Sequence, residues 1–84
     1  MIQTATLDDI AAFVTAQLLQ RVEGLHSIDP DTDLMELGVR SIDAVLVSGE
    51  IEDHYGVEVD PVLLFEYRTV NRVAGWVAES LSAR

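Results

Sequence analysis

The sequence predicts an all-α domain: a four-helix bundle with three longer helices, a short third helix and a long first loop. Three observations carry this expectation. Apolar residues recur at helical spacing in three separate stretches. Those stretches are punctuated by Gly24, Gly56 and Pro61, residues that stop or restart helices. A chain of 84 residues, 49% of them apolar, has material for one small core and no more. The expected domain therefore spans 1–84, with no internal repeat and no second unit.

The first helix opens at Thr6, which with Asp9 makes an approximate capping box. Leu7, Ile10, Val14, Leu18 and Val22 then follow as an apolar stripe of about four turns. Gly24 stands where a left-handed cap would end it, and Leu25 would fold back on the last turn. Phe13 and Leu19 fall off the stripe, which implies contact on more than one side. From Leu25 to Arg40 there is no helical period, yet Leu25, Ile28, Leu34, Leu37 and Val39 are apolar, so this connection should pack down as an ordered strap across the helix ends. Asp29, Asp31 and Asp33 alternate like the start of a calcium loop. The match fails at Leu34, where the turn glycine belongs, and at Arg40, where a bidentate Glu belongs, so these acids read as turn formers around Pro30.

The second helix should run from Ser41 to about Tyr55, with His54 in its last turn and Gly56 as its stop. At 100 degrees per residue it carries two apolar sides. Ala44, Val47, Ile51 and Tyr55 face the core; Ile42, Val45, Leu46 and Gly49 form a second side bordered by Asp43, Glu50 and Asp53. That second side is either covered by neighbouring chain or is a docking surface with an apolar centre and an acidic rim. Gly56 to Val59 is a short extended link. Asp60 and Pro61 restart the helix in the favoured cap and first-position order, giving a short third helix through Phe65 that Tyr67-Arg68 breaks. Thr69 caps a fourth helix striped by Val70, Val73, Ala74, Val77 and Leu81, with Trp76 as a core-edge aromatic on its flank.

Composition narrows the function. Fifteen acidic against 5 basic residues give a formal charge of -10, which repels nucleic acid and anionic membranes and favours partners with basic patches. There is no Cys, so neither disulfides nor thiolate metal sites are available. No apolar run approaches the roughly 18 residues needed to span a bilayer, and the stretch from Met1 to Thr6 lacks the charged and apolar regions of a signal peptide. A cytoplasmic monomer is expected. Starting at Met1 and ending soon after the fourth helix, the chain is expected to be a discrete protein. His26 and His54 lie at a loop start and a helix end, without a metal-ligand partner at useful spacing. A serine hydrolase is disfavoured as well, because Gly-Val-Arg-Ser41-Ile lacks the second glycine of a nucleophile elbow and a short helical chain has no sheet to hold one.

The chemistry-bearing stretch is Glu36-Leu-Gly-Val-Arg-Ser-Ile-Asp-Ala-Val45, which presents Ser41 where a glycine-containing loop turns into a helix. A serine there has an ordinary use as a helix cap. Its company says more. Leu37 to Val45, followed by Tyr55-Gly56-Val57 and by Leu64-Phe65-Glu66-Tyr67-Arg68-Thr69-Val70, resembles the acyl carrier proteins of polyketide, fatty-acid and nonribosomal pathways, from the first helix to the last. The later residues lean towards the polyketide type.

The resemblance implies that Ser41 receives 4'-phosphopantetheine from a phosphopantetheinyl transferase, and that acyl intermediates ride on the terminal thiol as thioesters. The carrier would itself catalyse nothing. Its further partners would be an acyltransferase or an acyl or aminoacyl ligase, a ketosynthase and other pathway enzymes. They would dock through Arg40, Ile42, Asp43, Val45, Leu46, Gly49, Glu50 and Asp53. Two other readings stay open: an aminoacyl or peptidyl carrier of a nonribosomal pathway, and an unmodified module that keeps the fold without the arm. One departure bears on the second. The family usually has Asp immediately before the modified serine, and this chain has Arg40, a cation at an unfavourable helix end.

Overall fold

The computed structural model describes residues 6–83. Among them are four helices, α1 (Leu7–Arg21), α2 (Ser41–Tyr55), α3 (Val62–Tyr67) and α4 (Val70–Ser82), and no strand. None is long and apolar enough to cross a membrane. The stretch judged to lack signal-peptide features lies, Thr6 apart, outside the described residues.

Helix α1 begins with the expected capping box. Thr6 Oγ1 accepts from the Asp9 backbone N–H at 3.1 Å, and the Asp9 carboxylate accepts from the Thr6 N–H at 3.4 Å. Ile10, Val14 and Leu18 are fully buried, but Leu7 is exposed at the start of the stripe. The helix also stops earlier than Gly24 suggests. Val22 takes an extended conformation as its C-cap and turns its side chain into the core, while Gly24 adopts its positive φ in the turn beyond. A β-branched residue that buries itself by leaving the helix gives up little helical preference.

The expected strap is present and makes a turn of its own. Leu34 and Val39 are buried, and Leu25, Ile28 and Leu37 pack against the core edge. Asp33 Oδ1 accepts from the Met35 N–H at 2.8 Å, opening a tight turn over Leu34 to Gly38. Asp29 likewise accepts from the Asp31 N–H at 2.9 Å, a turn-forming role. Two ties fasten the strap to the far end of the chain: Asp31 to Asn71 at 2.8 Å and Asp33 to Arg68 at 3.3 Å. The Leu34 N–H adds a 2.7 Å bond to the Arg68 carbonyl. These contacts hold the segment that leads into Ser41.

Helix α1 packs chiefly on α4 and next on α2, with α3 lying between α2 and α4. Ala44, Val47 and Ile51 of α2 and Val70, Val73, Ala74 and Val77 of α4 belong to one core, each fully buried. Burying a Val or Ile side chain contributes about 1.5–3 kcal/mol, and this is what holds a chain without disulfides. Gly56 closes α2 in the left-handed region, at φ 73, where its missing Cβ removes the steric penalty. At α3 the helix starts one residue later than expected, with Pro61 rather than Asp60 in the N-cap position; the Asp60 carboxylate still accepts from the Val62 N–H at 3.0 Å, and the helix continues to Tyr67 before Arg68 breaks it at φ 75. Thr69 Oγ1 caps α4 by accepting from the Arg72 N–H at 3.2 Å. Leu81 and Trp76 sit half-buried at the core edge.

Candidate functional site

The site is built where the strap meets α2. Helix α2 begins at Ser41, so the serine is the first helical residue and Arg40 takes the N-cap position. Ser41 therefore does not cap the helix, and the ordinary use of a serine at such a junction is not made of it here. The cap comes from inside the helix. Asp43 Oδ2 accepts from the Arg40 backbone N–H at 2.9 Å, which is half of a capping box, and Arg40 has no acceptor to return. The Arg40 guanidinium then closes on the same carboxylate through Nε at 3.2 Å and one terminal nitrogen, Nη2, at 3.5 Å.

Asp43 is thus 2% exposed, which removes it from the docking rim where its helical position had put it. Burial pushes its carboxyl up. The side-chain and backbone hydrogen bonds from Arg40, with the charges of Arg40 and Arg21, outweigh that and hold it below the ordinary carboxylate range. The hydrogen bond and charge of Asp43 raise the Arg40 guanidinium in turn. A cation at this helix end is less costly than its position implies, because a carboxylate of the first turn neutralises it. The spacing that signals the pair, an acid at the third helical position, is the same one that identified Asp9.

With Asp43 turned inward, Ser41 is left exposed, and its hydroxyl makes no hydrogen bond among the described residues. The backbone N–H groups of Ser41, Ile42 and Asp43 likewise have no acceptor, since intrahelical bonding resumes only with the Ala44 N–H to the Arg40 carbonyl at 3.0 Å. Three free donors and the positive end of a helix macrodipole surround the hydroxyl. An anion attached there is favoured by about 0.3–1 kcal/mol at an exposed position. These residues fit a phosphodiester on Ser41.

Below the serine the second side of α2 is open. Ile42, Val45 and Leu46 are 54%, 49% and 46% exposed, and Gly49 is exposed beside them. The structure therefore leaves this side uncovered. Met35, on the strap that leads into the serine, is also exposed, at 69%. Of the acids expected on its border, Asp53 is exposed, whereas Glu50 is half-buried and paired with Arg21 at 3.2 Å. At the other end of α2, His54 stacks on Phe13 with ring centroids 4.3 Å apart and meets Tyr55 edge-on at 4.7 Å. This accounts for Phe13 lying off the main stripe. A small cleft of about 280 Å³ lies on the α1 side of Ser41, lined by Val22, Glu23, Leu37, Gly38, Arg40 and Asp43.

Comparison with known proteins places the chain in a family. Residues 15–77 match the family described as phosphopantetheine attachment site, a span that includes Ser41. Over 51 residues, 61% of the chain, it is 43% identical to a phenolphthiocerol/phthiocerol polyketide synthase of Mycobacterium tuberculosis. It is 31% identical over 75 residues, 89% of the chain, to a 6-methylsalicylic acid synthase of Aspergillus terreus. The chain spans only 3% of the first relative's length and 4% of the second's. Among solved structures, a free-standing peptidyl carrier protein from an uncharacterized Acinetobacter baumannii secondary metabolic pathway superposes with a TM-score of 0.86. It is 29% identical, and the match covers 92% of this chain and 98% of that one.

Proposed function

This chain belongs to the phosphopantetheine attachment-site family, whose members carry 4'-phosphopantetheine covalently, and on that premise we propose that Ser41 is its attachment serine and that the protein carries acyl intermediates in polyketide or related secondary-metabolite biosynthesis. The observation that carries this reading is the Ser41 hydroxyl, exposed and unbonded at the first position of a 15-residue helix. Modification by a phosphopantetheinyl transferase joins Oγ to the pantetheine-bearing phosphorus of coenzyme A, breaks the pyrophosphate bond so that the nucleotide leaves with the bridging oxygen, and passes the hydroxyl proton to the transferase. The rigid helix end allows this without unfolding. The arm, when attached, supplies the thiol that this cysteine-free chain lacks, and cargo rides on it as a thioester. In this reading the chain catalyses nothing of its own.

The open face of α2 then serves transient docking. Ile42, Val45, Leu46 and Gly49 supply a small apolar centre, and the overall acidity steers basic partner enzymes on and off. Those partners are an acyltransferase or acyl ligase, a ketosynthase and related enzymes. Support for acyl cargo comes from the polyketide synthases among its relatives.

Intact mass spectrometry after incubation with coenzyme A and a broad-specificity transferase tests the attachment. The expected result is a gain of one phosphopantetheine that Ser41→Ala abolishes. A chain that never gains mass is an unmodified module, and the reading fails. The likeness to a peptidyl carrier favours a second reading, in which the cargo is an aminoacyl or peptidyl group. Loading of the modified protein by an adenylating enzyme given amino acids, and not by an acyltransferase or fatty-acyl ligase, would select it.

A further inference from the structure

Arg40 stands out against the rest of the chain. Its basic residues are Arg21, Arg40, Arg68, Arg72 and Arg84, in a protein of formal charge -10, and one of these adjoins the hydroxyl proposed to carry a phosphodiester. Arg21 is bound to Gln17 and Glu50, and Arg68 to Asp33. Arg40 is differently placed. Its side chain is 71% exposed, and only one edge of the guanidinium, Nε and Nη2, is used on Asp43. Nη1 makes no hydrogen bond among the described residues, and besides Asp43 the charge that acts on the guanidinium is that of Glu23, which lines the same cleft. The planar fork carries five donors, and planar forks pair well with phosphate oxygens. The neighbouring N–H groups of Ser41, Ile42 and Asp43 are free as well.

We propose that Arg40 is the built-in counter-ion of the arm: it grips Asp43 with one edge of its guanidinium and takes the phosphodiester on Ser41 with the other, in competition with Glu23 across the cleft that Arg40 shares with Val22, Glu23, Leu37, Gly38 and Asp43. The inference rests on Ser41 being the attachment point. Asp43 already fixes one edge of the guanidinium on the residue that precedes the serine, so less side-chain freedom remains to be lost when the phosphate is taken. The base of the arm is then held beside the strap and released when a partner competes for either ion. Because the pair is exposed, it is weak and screened by salt, favouring the held state by a factor of up to about five at low ionic strength. A hold of that size leaves delivery reversible.

The test compares apo and loaded protein by NMR, with loading at Ser41 first established by mass. In the loaded wild type at about 0.01 M salt, the Arg40 Nε–Hε resonance and the methyl groups of Val22 and Leu37 are expected to shift from their apo positions. The 31P signal should relax faster than in loaded Arg40→Gln, and both differences should close near 1 M salt. Should the transferase reject Arg40→Gln, the wild-type comparison of apo with loaded protein across the same salt range decides alone. Loaded wild type with an unmoved Arg40 resonance and 31P relaxation indifferent to salt overturns the proposal and leaves the attachment reading standing. A chain whose mass never changes overturns both.

Discussion

Removing the Asp43 carboxylate should loosen the junction that presents Ser41, and the structure says by how much. In Asp43→Ala the Arg40 backbone N–H loses its 2.9 Å acceptor, a helix-capping bond whose loss costs about 1 kcal/mol, within a range of roughly 0.5–2. The Arg40 guanidinium is already largely in water, so stranding it adds none of the penalty that an abandoned buried charge would bring. A domain of this size holds about 4–13 kcal/mol in all, and 1 kcal/mol moves its Tm by about 4–8 °C. Asp43→Asn should fall by less, because its amide oxygen can still accept the N–H while the charge is gone. The carboxyl is held below its unfolded value near 3.9, so its charged form adds stability that is fully present above about pH 5. That contribution is lost as the pH falls through the lowered folded-state value. Urea unfolding of wild type, Asp43→Ala and Asp43→Asn at a series of pH values checks this: the gap between wild type and Asp43→Asn should close in acid. If both variants match wild type at pH 7, or the gap stays constant into acid, the account of this junction is wrong.

Two further predictions concern the strap. Leu34→Ala should cost about 3–5 kcal/mol and bring the domain near its unfolding threshold, because Leu34 is fully buried. Met35→Ala, next to it but exposed, should stay within about 0.5 kcal/mol, and equal urea midpoints for the two would refute the packing described for this segment. Gly38→Ala should cost about 1–2 kcal/mol purely through backbone conformation: φ is +87 there, while an added Cβ would meet nothing within 4 Å. Thermal unfolding measures that directly, and a neutral result would mean the turn before Ser41 relaxes freely.

Much of the fold was legible from residues alone, for a physical reason. Helix α2 runs from Ser41 to Tyr55 as expected because a 3.6-residue stripe and a glycine stop act within one element and need no partner to be recognised. The same holds for the Thr6–Asp9 box and for the Thr69 cap of α4. The early end of α1 was not legible, since whether Val22 stays helical depends on core space that only the packed chain creates. Nor were the ties from Asp31 to Asn71 and from Asp33 to Arg68, which join residues far apart in sequence.

Sequence by itself therefore determined the four helices and the two apolar sides of α2, because local periodicity and turn chemistry dictate both, and its resemblance to a carrier family marked the serine on which a carrier reading turns. Tertiary structure decided what surrounds that serine. Helical position put Asp43 on the open face with Ile42 and Val45. Packing of the strap instead buried its carboxylate against the Arg40 backbone, leaving the neighbouring guanidinium outermost. The balance between desolvating a carboxylate and satisfying it with hydrogen bonds is set by atoms brought together in space, and no pattern along the chain encodes its outcome.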